Sequence, residues 1–117
     1  MSYFYVFLGG GIGSILRFVV QRLFSGTNNF PFSTLVSNIV SCFIFGFVVG
    51  AFSKGQMSEA QKLFWTTGLC GGFSTFSAFS AESFKLLESG NHLYFVLNVA
   101  GSVLLCLVAY YIGSRYC

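Results

Sequence analysis

The residues best placed to do chemistry lie mid-chain, in the stretch GGFSTFSAFS, Gly71 to Ser80. It joins a glycine pair, four hydroxyls and phenylalanines at 73, 76 and 79, with no charge among them. Gly71 and Gly72 each disfavour a continuous helix by about 1 kcal/mol relative to alanine, so the pattern predicts a break over Gly71–Ser74. At bilayer depth a break is tolerated only where its freed backbone groups are buried in protein or face an ion or water. Freed carbonyls can coordinate a cation, and the N-terminus of a half-helix restarting near Ser74 favours an anion. Phe76 and Phe79 share one helical face, and the positive edge of an aromatic ring can also favour an anion. Among 16 phenylalanines, spacing alone does not separate these two from lipid-facing rings.

The remaining interior polarity is neutral and rich in donors. Thr34, Asn38 and Ser41 fall on one face of a helix by their spacing, as do Tyr94, Asn98 and Ser102. Such tracks either hold helices together by interhelical hydrogen bonds or offer OH and NH donors to a small anion. No acid precedes Glu59, so the first two spans carry no carboxylate for proton or cation exchange. That counts against the alternative reading, a small dual-topology proton-coupled multidrug exporter, which depends on a membrane-embedded Glu in its first span. Glu82 would repel an anion and is assigned to the interface or to pairing with Lys85. Cys42, Cys70, Cys106 and Cys117 show no CxxC spacing and read as small packing residues rather than as metal ligands or disulfides.

The elements that must position these residues are membrane helices. Of 117 residues, 55% are hydrophobic and 8% charged, with a mean hydropathy of +0.76, far from the roughly 25% charge of a soluble domain. Between Arg22 and Lys54 lie 31 uncharged residues and between Lys62 and Glu82 another 19, against the about 20 that a bilayer core demands of a helix. The expected fold is an all-α membrane protein, one domain over residues 1–117. Its four transmembrane helices run about Tyr3–Phe24, Phe32–Ser53, Ala60–Lys85 and Leu93–Ser114, the third broken near Gly71–Ser74. The connectors Ser25–Pro31, Lys54–Glu59 and Leu86–His92 are rich in Gly, Asn, Ser and charge. The first hydrophobic stretch lacks a basic n-region and reads as a retained helix. Continuously apolar segments exclude a β-barrel, whose strands alternate.

Orientation follows the Lys and Arg near the helix ends. Lys54, Lys62 and Arg115 lie on the side of the termini and Arg17, Arg22 and Lys85 toward the other, a tie. The tie predicts insertion in both orientations and pairing as an antiparallel homodimer. Two breaks meeting on the two-fold axis would then present four carbonyl ligands.

The ordered motifs GGGIGSILRF, STLVSNIVSCFIFGF, GLCGGFSTFSAFS and YFVLNVAGS cover essentially the whole chain. Together they resemble the Fluc (CrcB) family of fluoride channels. The resemblance implies a non-enzymatic, dual-topology antiparallel dimer in the plasma membrane, with two pores that pass fluoride passively and lower its cytoplasmic level. Its partners are a second copy, fluoride and the bilayer, with no nucleic acid. It makes Phe76 and Phe79 the pore-lining aromatic pair and Asn38 a donor to the anion. Ser77, Tyr94, Asn98 and Ser102 extend the polar route, carbonyls of Gly71 and Ser74 hold a structural Na+, and Arg17 contributes a vestibule. Departures are Ser74 for Thr, Ser41 and Cys42 for Gly-Ser, Ser37 for an apolar residue, Ala78 for a hydroxyl residue and Asn98 for Ser.

Overall fold

The computed structural model describes residues 1–24 and 32–115; the connector Ser25–Pro31 and residues 116–117, Cys117 among them, lie outside the described residues. Every regular element among the described residues is a helix, with no strand. Helix α1 spans Ser2–Leu23 and α2 spans Phe32–Ser53. The third span, residues 59–88, is divided. Its first half joins α3 (Glu59–Leu63), a π-helical segment (Phe64–Cys70) and α4 (Gly71–Phe73), and its second half is α5 (Phe76–Glu88). Helix α6 spans His92–Arg115. Helices α1, α2 and α6 are each long and apolar enough to cross a membrane.

Local chemistry sets the ends of these elements. A capping box opens α3: Ser58 Oγ accepts from Gln61 N at 3.2 Å, and Gln61 Oε1 accepts from Ser58 N at 3.0 Å. Gly55 and Gly90, with φ of 74° and 82°, supply the left-handed backbone that lets the connectors turn. Within the wide-wound segment, Thr66 Oγ1 donates to Lys62 O at 2.7 Å, competing with the regular helical ladder.

Two glycine seams organise the packing. On the first, α1 meets the broken span: a Cβ at Gly9 would fall 2.9 Å from Gly68 Cα, and one at Gly13 would fall 2.8 Å from Phe73 N. A Cβ at Gly72 would collide with Gly10 O. Gly9 and Gly13 thus face Gly68 and Gly72, two small-xxx-small stripes that let backbones approach where no hydrophobic effect drives helices together. On the second seam α2 lies against α6, with Gly46 on the Tyr110 carbonyl and Gly113 on the Phe43 carbonyl.

The first seam corrects the expected role of the glycine pair. Gly71 and Gly72 remain helical, and the chain turns extended at Ser74 (φ −85°, ψ 157°) and Thr75 (φ −153°, ψ 122°). Gly72 is needed for close approach to α1, and the break follows from side chains that satisfy the backbone two residues later.

Replacing Gly72 with Ala is expected to lower the unfolding midpoint in detergent through overpacking of about 1–3 kcal/mol. The same change at Gly101, where a Cβ meets nothing within 4 Å, should leave the midpoint unchanged or raise it. Equal midpoints for both variants would refute the seam.

Candidate functional site: the helix break and its cavity

Ending one helix and starting another inside a span frees carbonyls on one side and amides on the other. In a continuous helix the Thr75 amide would bond Gly71 O. Here it donates to Asn38 Oδ1 at 3.0 Å, while Asn38 Nδ2 donates to Thr75 O at 3.4 Å. One side chain of α2 therefore completes both backbone groups of the extended residue. Thr75 also caps α5, its Oγ1 accepting from Ala78 N at 3.1 Å and lying 3.1 Å from Ser77 Oγ. Upstream, Ser74 N and Ser74 Oγ both donate to Cys70 O, at 2.9 and 2.6 Å. Arg17 Nε, half-buried on α1, donates to Gly72 O at 3.1 Å. A cation at the last turn of a half-helix also meets the negative end of its dipole.

Directly against the break lies a cavity of about 280 Å³. Asn38 and Cys42 line it from α2, Ser74, Thr75, Phe76 and Phe79 from the broken span, and Ser102, Val103 and Cys106 from α6. Among the described residues no charged side chain lines it. The Phe76 and Phe79 rings lie 5.8 Å apart at 36°, with Phe76 79% exposed. The walls thus combine the dipole-positive end of α5, hydroxyl and amide donors and aromatic rings, a set that accepts a small anion.

Of the sequence-predicted pore residues, Asn38, Phe76, Phe79 and Ser102 meet in this cavity. Ser77 is exposed at the start of α5. Asn98 lies behind the lining: it is buried, donates from Nδ2 to Ser83 Oγ at 2.8 Å, and accepts from Ser102 Oγ at 3.5 Å. Tyr94, further back on α6, does not line the cavity. Thr34, Ser37 and Ser41 are buried on α2, and the hydroxyls of Ser37 and Ser41 have no protein partner among the described residues. Glu82 keeps Oε1 buried, and its carboxyl lies near the Thr34 hydroxyl and Lys85.

Residues 4–114 match the family described as CrcB-like protein, Camphor Resistance (CrcB). The chain belongs to the CrcB family. A relative from Azobacteroides pseudotrichonymphae genomovar. CFP2, named fluoride-specific ion channel FluC, is 43% identical over 114 residues, 92% of this chain and 91% of its own. Proteins of the same name from Phocaeicola vulgatus and Flavobacterium psychrophilum are 41% and 42% identical, covering 92% and 94% of this chain and 91% of each relative. As a CrcB protein with several apolar crossing helices, the chain is a multi-pass membrane protein and not an enzyme.

Three features of this CrcB site escaped the sequence reading. Thr75 is the hub of the break, and its signal was available: a Thr three residues before the amide it caps, at the start of an apolar helix. Arg17 acts on a backbone carbonyl, a role without a sequence signature. Cys42 and Cys106 enter the wall only because α2 and α6 pack side by side.

Replacing Asn38 with Leu removes both bonds to Thr75, a cost of about 1–3 kcal/mol for orphaned backbone groups. Hydrogen exchange of the Thr75 amide should accelerate in proportion, whereas unchanged protection would show that another group holds the break.

Proposed function

We propose that this CrcB protein is a fluoride-selective ion channel of the plasma membrane that lets fluoride leave passively and lowers its cytoplasmic level. The observation that carries the reading is the uncharged cavity at the N-terminus of α5, where Asn38 and the Phe76–Phe79 pair converge. Fluoride is small, hard and strongly hydrated, so a path for it must replace lost water with OH, NH and ring-edge contacts yet hold it weakly enough for release. One Asn38 Nδ2 hydrogen is engaged at Thr75 O, and the second is the donor this reading assigns to the anion. Ser102 and, behind it, Asn98 continue the donor line, with Ser77 and Tyr94 toward its ends. The fluoride-specific names of relatives covering nine-tenths of the chain support the same anion.

The working unit of this reading is an antiparallel dimer of dual topology with two pores. The tied basic residues support it, and so does Phe76, a large ring left uncovered at the cavity mouth of one protomer. A structural Na+ at the dimer centre suits the same geometry. Gly71 O has lost the Thr75 amide to Asn38, and Ser74 O lies in the break, so each chain offers two carbonyls of the hard-oxygen type that Na+ prefers. When bound, the ion would supply a fixed positive charge that neutralises carbonyls turned away from the helix ladder. Arg17, bonded to Gly72 O, serves this assembly as a brace for the half-helix rather than as an open vestibule charge.

Liposomes holding the purified protein should release fluoride and retain chloride. Phe76→Ile and Phe79→Ile should each cut fluoride efflux by roughly tenfold or more while the dimer still elutes intact. Equal chloride and fluoride efflux, or normal efflux in both variants, would overturn the reading.

A further inference from the structure

Cys42 on α2 and Cys106 on α6 line the same cavity as Phe76 and Phe79. The register of α2 on α6 brings them together. Asn38 and Ser102 share the cavity, one turn further along each helix come Cys42 and Cys106, and one turn further still Gly46 sits on the Tyr110 carbonyl. Because the backbones are pressed together at Gly46, little besides two small side chains fits between the helices one turn before it. Both cysteines are free thiols. Cys70 is the third thiol nearby, but it is 2% exposed and its Sγ donates to Ser41 O at 3.4 Å, so it is committed elsewhere.

Two thiols in a wall with no charged side chain among the described residues suit a thiophile whose net reaction carries both thiol protons away and leaves a neutral product, rather than a metal ion that leaves charged thiolates in the cavity. A trivalent arsenical does so. Two As–S bonds form, the As=O bond of the oxide breaks, and the two thiol protons leave with its oxygen as water. Arsenic stays trivalent, no charge is created and no oxidant is needed. The ring closes across two side chains that share one cavity wall, one turn from the point where α2 and α6 pack backbone to backbone at Gly46.

We propose that Cys42 and Cys106 form a dithiol binding site for trivalent arsenicals, and that its occupant closes the anion path beside Phe76 and Phe79. The closure rests on the fluoride-channel reading; the adduct does not.

The test uses phenylarsine oxide on the purified full-length protein. Intact-mass measurement should find one arsenical bridged per chain, with loss of water. A dithiol such as dimercaptopropanol should reverse the adduct, and an equal concentration of monothiol should not. Cys42→Ser and Cys106→Ser should each abolish the bridged adduct, and Cys70→Ser should retain it. In liposomes, fluoride efflux of the unsubstituted protein and of Cys70→Ser should fall roughly tenfold or more on treatment, while whatever efflux Cys42→Ser retains should be insensitive. Absence of the adduct, or its persistence in Cys42→Ser and Cys106→Ser, overturns the site. A bridged adduct with unchanged fluoride efflux overturns the closure, and absence of fluoride efflux before treatment overturns the channel reading while the mass data still decide the site.

Discussion

Everything in this protein is arranged around backbone groups that a bilayer cannot satisfy. An unpaired amide or carbonyl in hydrocarbon costs several kcal/mol, so a span interrupted at Ser74 and Thr75 persists only if other parts of the protein complete it. Three helices contribute. Asn38 of α2 bonds both the amide and the carbonyl of Thr75, Arg17 of α1 takes the carbonyl of Gly72, and Thr75 itself closes the first turn of α5. The glycine seam between α1 and the first half of the broken span makes the Arg17 contact reachable, since any Cβ at Gly72 would push the two backbones apart.

The same arrangement produces the site. Turning Thr75 toward Asn38 starts α5 at Phe76, which puts the positive end of a helix, a pair of tilted rings and an amide group around one uncharged cavity. It also leaves Gly71 O without its helical donor, so the features suited to an anion and to a cation arise from one change of backbone direction. On the fluoride-channel reading neutral donors suit a permeating ion: a lysine or arginine in the wall would hold an anion too firmly to release it, and a carboxylate would repel it. Glu82 lies outside the wall, consistent with that requirement.

The sequence revealed the fold more readily than the atomic arrangement of the site. Long uncharged runs bounded by Arg22, Lys54, Lys62 and Glu82 are imposed by the bilayer itself, which is why an all-helical chain with long apolar spans could be expected from them. The break was legible in GGFSTFSAFS but was placed on the glycines, because helix propensity is a local quantity and the demand that Gly72 pack on Gly10 is not. Asn38 stood out as a buried-type polar residue in an apolar helix, yet its partner, 37 residues away, could not be read from spacing. Arg17 was assigned to a vestibule, and its bond to Gly72 O went unread because a bond to a main-chain carbonyl leaves no trace in the partner's residue type. Cys42 and Cys106 looked like packing residues, since their proximity depends on the register between α2 and α6.

The most direct measurement is fluoride efflux from liposomes containing an Arg17→Gln/Thr75→Ala double variant, with the amount of inserted protein held equal to that of the unsubstituted protein. These changes remove two supports of the break and leave Asn38, Phe76, Phe79 and Ser102 in place. Collapse of fluoride efflux despite an intact aromatic pair is the expected result. Efflux equal to that of the unsubstituted protein would contradict the dependence of the site on the supported break.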